Sequence, residues 1–291
     1  MCDNDSLDDM VEYELRKKEL SRRQFGALTL GAGLVSVLPA VANAAEVKES
    51  EVEIKTPDGT CDAHFVHPAS GTAPAVIVWP DIFGLRPAFR QMGKRLAESG
   101  YAVLTVNPFY RQKKAPTATG TDMSDPAVRN GLFGLMSALT EQTAFTDAKA
   151  FVEWLDKQGP VDKKRKIGTT GYCMGGPLVM RTAAAVPGRI GAAGTFHGGG
   201  LVTDKPDSPH LLIPKMKAQF LIAIADNDDM KEPESKNVLG AAFKKSKLTA
   251  EIEVYKGAMH GWCPTDSRVY DQALAEKAWG RELALFKTAL A

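Results

Sequence analysis

Short apolar segments without a polar face recur along this chain, and they leave few folds open to it. Residues 75–79 (Ala-Val-Ile-Val-Trp) and 101–106 are of this kind, and residues 166–170, 192–196, 218–223 and 250–255 read as further strands. A strand with one wet face alternates polar and apolar residues; a strand apolar throughout needs cover on both sides. The intervening segments supply that cover. Residues 90–99, 147–157, 174–185, 234–245 and 272–290 have helical character, with Gly100 as the stop signal of the first and Phe151, Val152 and Leu155 on one side of the second. Alternating strands and helices predict a single α/β domain on a doubly wound, mainly parallel sheet. Residues 51–56 and 61–67 flank Asp58-Gly59 and read as a hairpin that adds antiparallel strands at one edge. Residues 111–126 read as loop.

With 291 residues, 44% of them hydrophobic, the chain is large enough for one sizeable core. Charged residues make up 24% and the formal net charge is +1, which excludes an acidic tail, a disordered polymer and a nucleic-acid binder. The N-terminus stands apart. A charged stretch leads to Arg22-Arg23, an apolar Gly/Ala-rich run spans residues 27–41, and Ala42-Asn43-Ala44 offers small residues for cleavage. Paired arginines before a weakly apolar run resemble a twin-arginine signal, so residues 1–44 are expected to be removed on export to the periplasm or beyond. Those 44 residues hold five Lys/Arg and seven Asp/Glu, so residues 45–291 carry a formal charge near +3, too little to imply a polyanionic partner. No other stretch is long and apolar enough to span a bilayer, so no membrane association is expected once the signal is gone.

Four cysteines occur, at positions 2, 61, 173 and 263. None form a C-x-x-C pair or a zinc-type spacing. Cys173 lies in Gly171-Tyr172-Cys173-Met174-Gly175-Gly176, between a predicted strand and a predicted helix. This is the setting of a nucleophile elbow. A sharp strand-to-helix turn strains the central residue, glycines two before and two after relieve the clash, and the side chain projects at a helix N-terminus that favours a thiolate. A nucleophile of this kind needs a base that follows it along the chain, which removes His64 and His67. His260, in the loop just after the strand ending at Tyr255, can reach the carboxyl edge of the sheet. His197 begins a His-Gly-Gly-Gly run, but after the nucleophile rather than before it, and reads as a pocket-lining residue. Asp226, Asp228 and Asp229 all follow the strand before the base, and spacing alone does not choose among them.

Taken together, Trp79-Pro80-Asp81-Ile82-Phe83-Gly84-Leu85, Asn107-Pro108-Phe109-Tyr110-Arg111, the elbow, and His260-Gly261-Trp262 resemble the dienelactone hydrolase family, in order and spacing, over residues 45–291. The resemblance implies an α/β-hydrolase fold. It implies Asp228 as the triad acid, because Ala225-Asp226-Asn227-Asp228 parallels a G-x-x-D pattern. It places Asp81 where the family has a Glu that keeps the resting thiol neutral, and it implies the amides of Ile82 and Met174 as an oxyanion hole. Arg111 corresponds approximately to one of two arginines that hold a substrate carboxylate; the second position is occupied by Pro264. Tyr172, His197 and Trp262, beside nucleophile and base, join Arg111 as expected substrate-binding residues.

The sequence therefore predicts a Cys-dependent hydrolase of a small-molecule carboxylic ester or lactone, similar to carboxymethylenebutenolidase, with Cys173, His260 and Asp228 as its triad and no metal or organic cofactor. Rival readings are a thioesterase, a non-catalytic binding protein on a hydrolase fold, and a disulfide-exchange protein pairing Cys173 with Cys263. Nothing in the sequence sets the oligomeric state.

Overall fold

The computed structural model describes residues 38–42, 44–118, 123 and 125–291. Most of the segment expected to be an export signal lies outside the described residues. Among those described, no helix is long and apolar enough to cross a membrane. Eight strands form one sheet: β1 (Val47–Thr56), β2 (Gly59–Pro68), β3 (Ala75–Trp79), β4 (Ala102–Val106), β5 (Ile167–Tyr172), β6 (Ile190–Phe196), β7 (Gln219–Ala225) and β8 (Ala250–Tyr255), in the order β1-β2-β4-β3-β5-β6-β7-β8. The expected hairpin is the antiparallel pair β1–β2 at one edge; β2 also runs antiparallel to β4, and every later pairing is parallel.

Strand periodicity divides the core into two layers. Val76 and Val78 face one side with Val103, Ala192 and Leu221, beneath α1 (Pro87–Glu98) and the last helix, α7 (Gln272–Ala289). Ile77 and Trp79 face the other with Leu104 and Phe220, beneath α3 (Glu141–Leu155), α4 (Gly175–Ala185) and α6 (Ser235–Lys245). This is the two-sided burial that apolar strands require. Local signals fix the helix ends. Pro87 opens α1, and Gly100, at φ +98°, follows its C-terminus. Asp271 caps α7 by accepting from Leu274 N at 3.0 Å.

Two helices depart from the sequence reading. The stretch read as loop to residue 126 gives way at once to α2 (Pro126–Met136). Asp125 Oδ1 accepts from Ala127 N at 2.8 Å and Pro126 takes the first helical position, a start signal hidden by the polar run before it. The helix expected from residue 147 begins at Glu141, because Thr140 and Thr143 close a reciprocal capping box. A short helix, α5 (Asp226–Lys231), also turns the three clustered aspartates out of β7.

A carboxyl lies buried inside the α1–α7 layer. Glu282 on α7 is wholly buried against β6, and a Cβ on Gly194 would lie 3.6 Å from its Oε1. Neither carboxylate oxygen has a hydrogen-bond partner. Burial pushes its carboxyl up to about 7, only partly offset by the charge of Arg95. A carboxyl raised on folding takes up protons relative to the unfolded chain between its two pKa values, so stability should fall as pH rises from about 4.5 to 7 and then level off. Glu282→Gln should abolish that decline and gain about 3 kcal/mol relative to the parent on going from pH 4.5 to 8, at 1.36 kcal/mol per unit. Urea denaturation across this range checks it; parallel profiles for the two proteins would contradict it.

Candidate active site

Backbone crowding builds the elbow. Cys173 has φ +52°, a left-handed conformation costly for a residue with a side chain. It is held there by neighbours that tolerate no extra atom. A Cβ on Gly171 would overlap the Gly175 carbonyl, one on Gly175 would overlap the carbonyl of Trp79, and one on Gly176 would stand 2.6 Å from Gly198 Cα. These glycines let α4 start directly against the ends of β3 and β6. Cys173 N donates to Phe196 O at 3.0 Å, and Gly176 N to Cys173 O at 3.0 Å. The contact at Gly175 also brings Met174 beside the loop after β3 that carries Ile82; Cys173, Met174 and Ile82 share one buried apolar cluster.

The expected base arrives from β8. His260 Nδ1 lies 2.8 Å from Asp228 Oδ2, and His260 N donates to Asn227 Oδ1 at 2.8 Å. Asp226 is used differently: it accepts from Gly257 N at 3.0 Å and from Lys256 Nζ at 2.9 Å. Asp229 pairs with Lys236 at 2.5 Å. Of the three carboxylates that spacing left open, Asp228 is the one that meets the imidazole. α5 explains the choice, since it points Asp228 toward the base loop while Asp226 and Asp229 take lysines.

His197, at φ +42° after β6, is buried, and its ring centroid lies 5.1 Å from those of both His260 and Trp262, edge-on at 65° to each. Neither ring nitrogen has a hydrogen-bond partner. Burial, reinforced by His260, keeps this ring neutral. It walls the base on one side.

Other expectations are corrected. Tyr172 points through the sheet into the α1–α7 layer, stacked on Phe196 at 5.0 Å and edge-on to Phe89. Trp262 is fully buried, stacked on Tyr255 at 5.2 Å, and supports His197 from behind. Asp81 is tied into an ion pair. Both its oxygens are held by Arg86, at 2.6 and 2.9 Å, and one also accepts from Phe83 N at 2.9 Å. Arg86, which sequence reasoning missed, reaches Asp266 with its other edge at 2.7 and 2.9 Å. It thereby joins the loop of Ile82 to the loop following His260.

Arg111 is also committed elsewhere. Its guanidinium donates to Asp58 at 2.6 and 3.0 Å, to Asp147 at 2.7 and 2.8 Å, and to Thr143 O at 3.3 Å, over the ring of Tyr110. Asp147 is buried on α3, so Arg111 neutralises an interior carboxylate instead of presenting a cation to the pocket. Cys61 and Cys263 are free buried thiols, which removes the pairing of Cys173 with Cys263.

If Arg111 is a structural tie, Arg111→Ala should cost about 3 kcal/mol or more in stability by leaving Asp147 buried and uncompensated. Chemical denaturation measures this. Unchanged stability with a raised KM for anionic esters alone would restore the substrate role.

Known proteins bear on the same geometry. A carboxymethylenebutenolidase from Pseudomonas putida is 27% identical over 233 residues, covering 80% of this chain and 93% of its own. A provisionally named carboxymethylenebutenolidase from Escherichia coli is 27% identical over 222 residues, 75% of this chain and 78% of its own. A crystal structure of a provisionally named dienelactone hydrolase from Klebsiella pneumoniae superposes with a TM-score of 0.73 at 24% identity, over 83% of this chain and 99% of that one, and so shares the fold. The model of the dienelactone hydrolase family matches residues 61–290, and the chain belongs to that family.

Proposed function

We propose that this enzyme hydrolyses a carboxylic ester or lactone through an acyl-enzyme on Cys173. The observation that carries the reading is the 2.8 Å contact between Asp228 and His260 at the sheet edge where Cys173 is forced into its left-handed turn. A family whose relatives include carboxymethylenebutenolidases supports the same reaction class.

Asp228 accepts from Nδ1 of His260, which leaves Nε2 as the basic nitrogen. His260 takes the Cys173 proton, and the sulfur attacks the ester carbonyl. The amides of Ile82 and Met174 hold the resulting oxyanion. Collapse breaks the carbon–oxygen bond, and the alkoxide leaves with the proton from His260. Water, deprotonated by the same imidazole, then attacks the thioester; the acid departs and the thiol is restored. A lactone follows the same course, its alcohol remaining attached to the acyl group.

Under reducing conditions, Cys173→Ala should lower kcat by about three orders of magnitude or more, since only binding and oxyanion stabilisation remain. Asp228→Asn should cost about 100-fold or more by freeing the imidazole to adopt the wrong tautomer, while Asp226→Asn and Asp229→Asn should stay within several-fold of the parent. Steady-state kinetics on one ester decides this. Near-native turnover by Cys173→Ala, or a series in which Asp226 dominates, would overturn the assignment.

Residues 1–44 complete the proposal as an export signal of twin-arginine type, supported by Arg22-Arg23 and Ala42-Asn43-Ala44. The mature N-terminus should then be Ala45, and lysine at both arginines should block export; full-length protein recovered from the cytoplasm of the native host would contradict it.

A further inference from the structure

The surroundings of Cys173 are apolar to an unusual degree for a site thought to receive a carboxylate. Ile82, Phe109, Met123, Leu132 and Met174 form one buried cluster with it. Val128, Phe133 and Met136 of α2 pack on that cluster from the outside. α2 is therefore a cover whose underside faces the nucleophile. Leu132 is its one buried residue, and Gly131 and Gly134 have open space where a side chain would stand. Two interior glycines weaken a helix, so this cover is held mainly by its contact with the cluster.

Charge points the same way. Of the arginines near the pocket walls in sequence, Arg86 and Arg111 are each matched by two carboxylates, while Arg129 sits half-buried on α2. Arg86 serves Asp81 and Asp266, and Arg111 serves Asp58 and Asp147. A substrate carboxylate seated on the cluster itself would be buried among methionine, leucine and phenylalanine, which is costly for a charge without a partner. Pro264 adds no cation.

From this we infer that the acyl group this enzyme accepts is neutral and apolar, seated between Met174, Phe109 and the underside of α2 at Leu132. The inference rests on the proposed Cys173 chemistry and adds the substrate class to it. Selectivity arises because each methylene leaving water for this cluster favours the acylation transition state, while an anionic tail forfeits that gain.

Two measurements on the full chain under reductant test it. The first is kcat/KM for p-nitrophenyl acetate, butyrate, hexanoate and hemisuccinate. It should rise at least 10-fold from acetate to hexanoate, and hemisuccinate should fall at least 10-fold below butyrate. Leu132→Asn should flatten the rise, lowering hexanoate more than acetate. The second does not need turnover: alkylation of Cys173, followed by peptide mass spectrometry, should be faster with N-hexylmaleimide than with N-ethylmaleimide, and Leu132→Asn should remove the difference. Cys173-dependent hydrolysis that is flat with chain length, or that prefers hemisuccinate, would overturn the inference and leave the hydrolase reading standing. Loss of all ester turnover with the alkylation preference intact would sink the hydrolase reading and keep the apolar pocket. No preference among maleimides would overturn the pocket itself.

Discussion

Everything at this site depends on how closely three strand ends approach the start of α4. The chain can carry Cys173 through a left-handed turn only because Gly171, Gly175 and Gly176 let backbone touch backbone. The same contacts set the rest of the geometry. Gly175 against Trp79 places Met174 beside the Ile82 loop, and Gly176 against Gly198 places the His197 turn beside the elbow. A methyl group at any of the three would force the strands apart, so the strain at Cys173 is sustained by packing over the whole carboxyl edge of the sheet. Parallel topology then delivers the remaining parts to that edge, Asp228 after β7 and His260 after β8.

The loops are fixed by a second device that the elbow does not supply. Arg86 grips Asp81 with one edge and Asp266 with the other, and its guanidinium lies 4.8 Å from the centroid of the Phe89 ring. Two carboxylates on one fork make a geometrically demanding joint. Its effect is to hold the loop bearing Ile82 against the loop that continues from His260. A carboxylate at residue 81 thus serves as an anchor between loops, one methylene shorter than the glutamate its family uses beside the thiol.

The sheet, its helical cover, the tight turn at Cys173 and the loop position of His260 were legible because they rest on local signals: apolar runs, glycine spacing and chain order. Spacing left Asp226, Asp228 and Asp229 equivalent, and only the family resemblance singled out Asp228, because a short helix decides which of them turns toward His260 and six residues carry too little periodicity to announce one. Tyr172 and Trp262 were read as pocket residues from adjacency alone, whereas both pack into the apolar layer beneath α1 and α7. Arg111 was misjudged for another reason. Its partners, Asp58 and Asp147, lie 53 and 36 residues away, and no local pattern announces an ion pair made across the fold. α2 was hidden by the polar stretch before Asp125, and with it went the apolar cover that now defines the pocket.

The account stands or falls on whether the acyl group passes through the sulfur of Cys173. The direct measurement is rapid acid quench of the reduced enzyme with an excess of a slowly deacylating ester, followed by mass spectrometry of the intact chain and of the peptide containing residue 173. The account predicts one acyl group per chain, located on Cys173 and absent from Cys61, Cys263 and the Cys173→Ala variant. Turnover that proceeds with no adduct on Cys173, or with the acyl group on another residue, would contradict it.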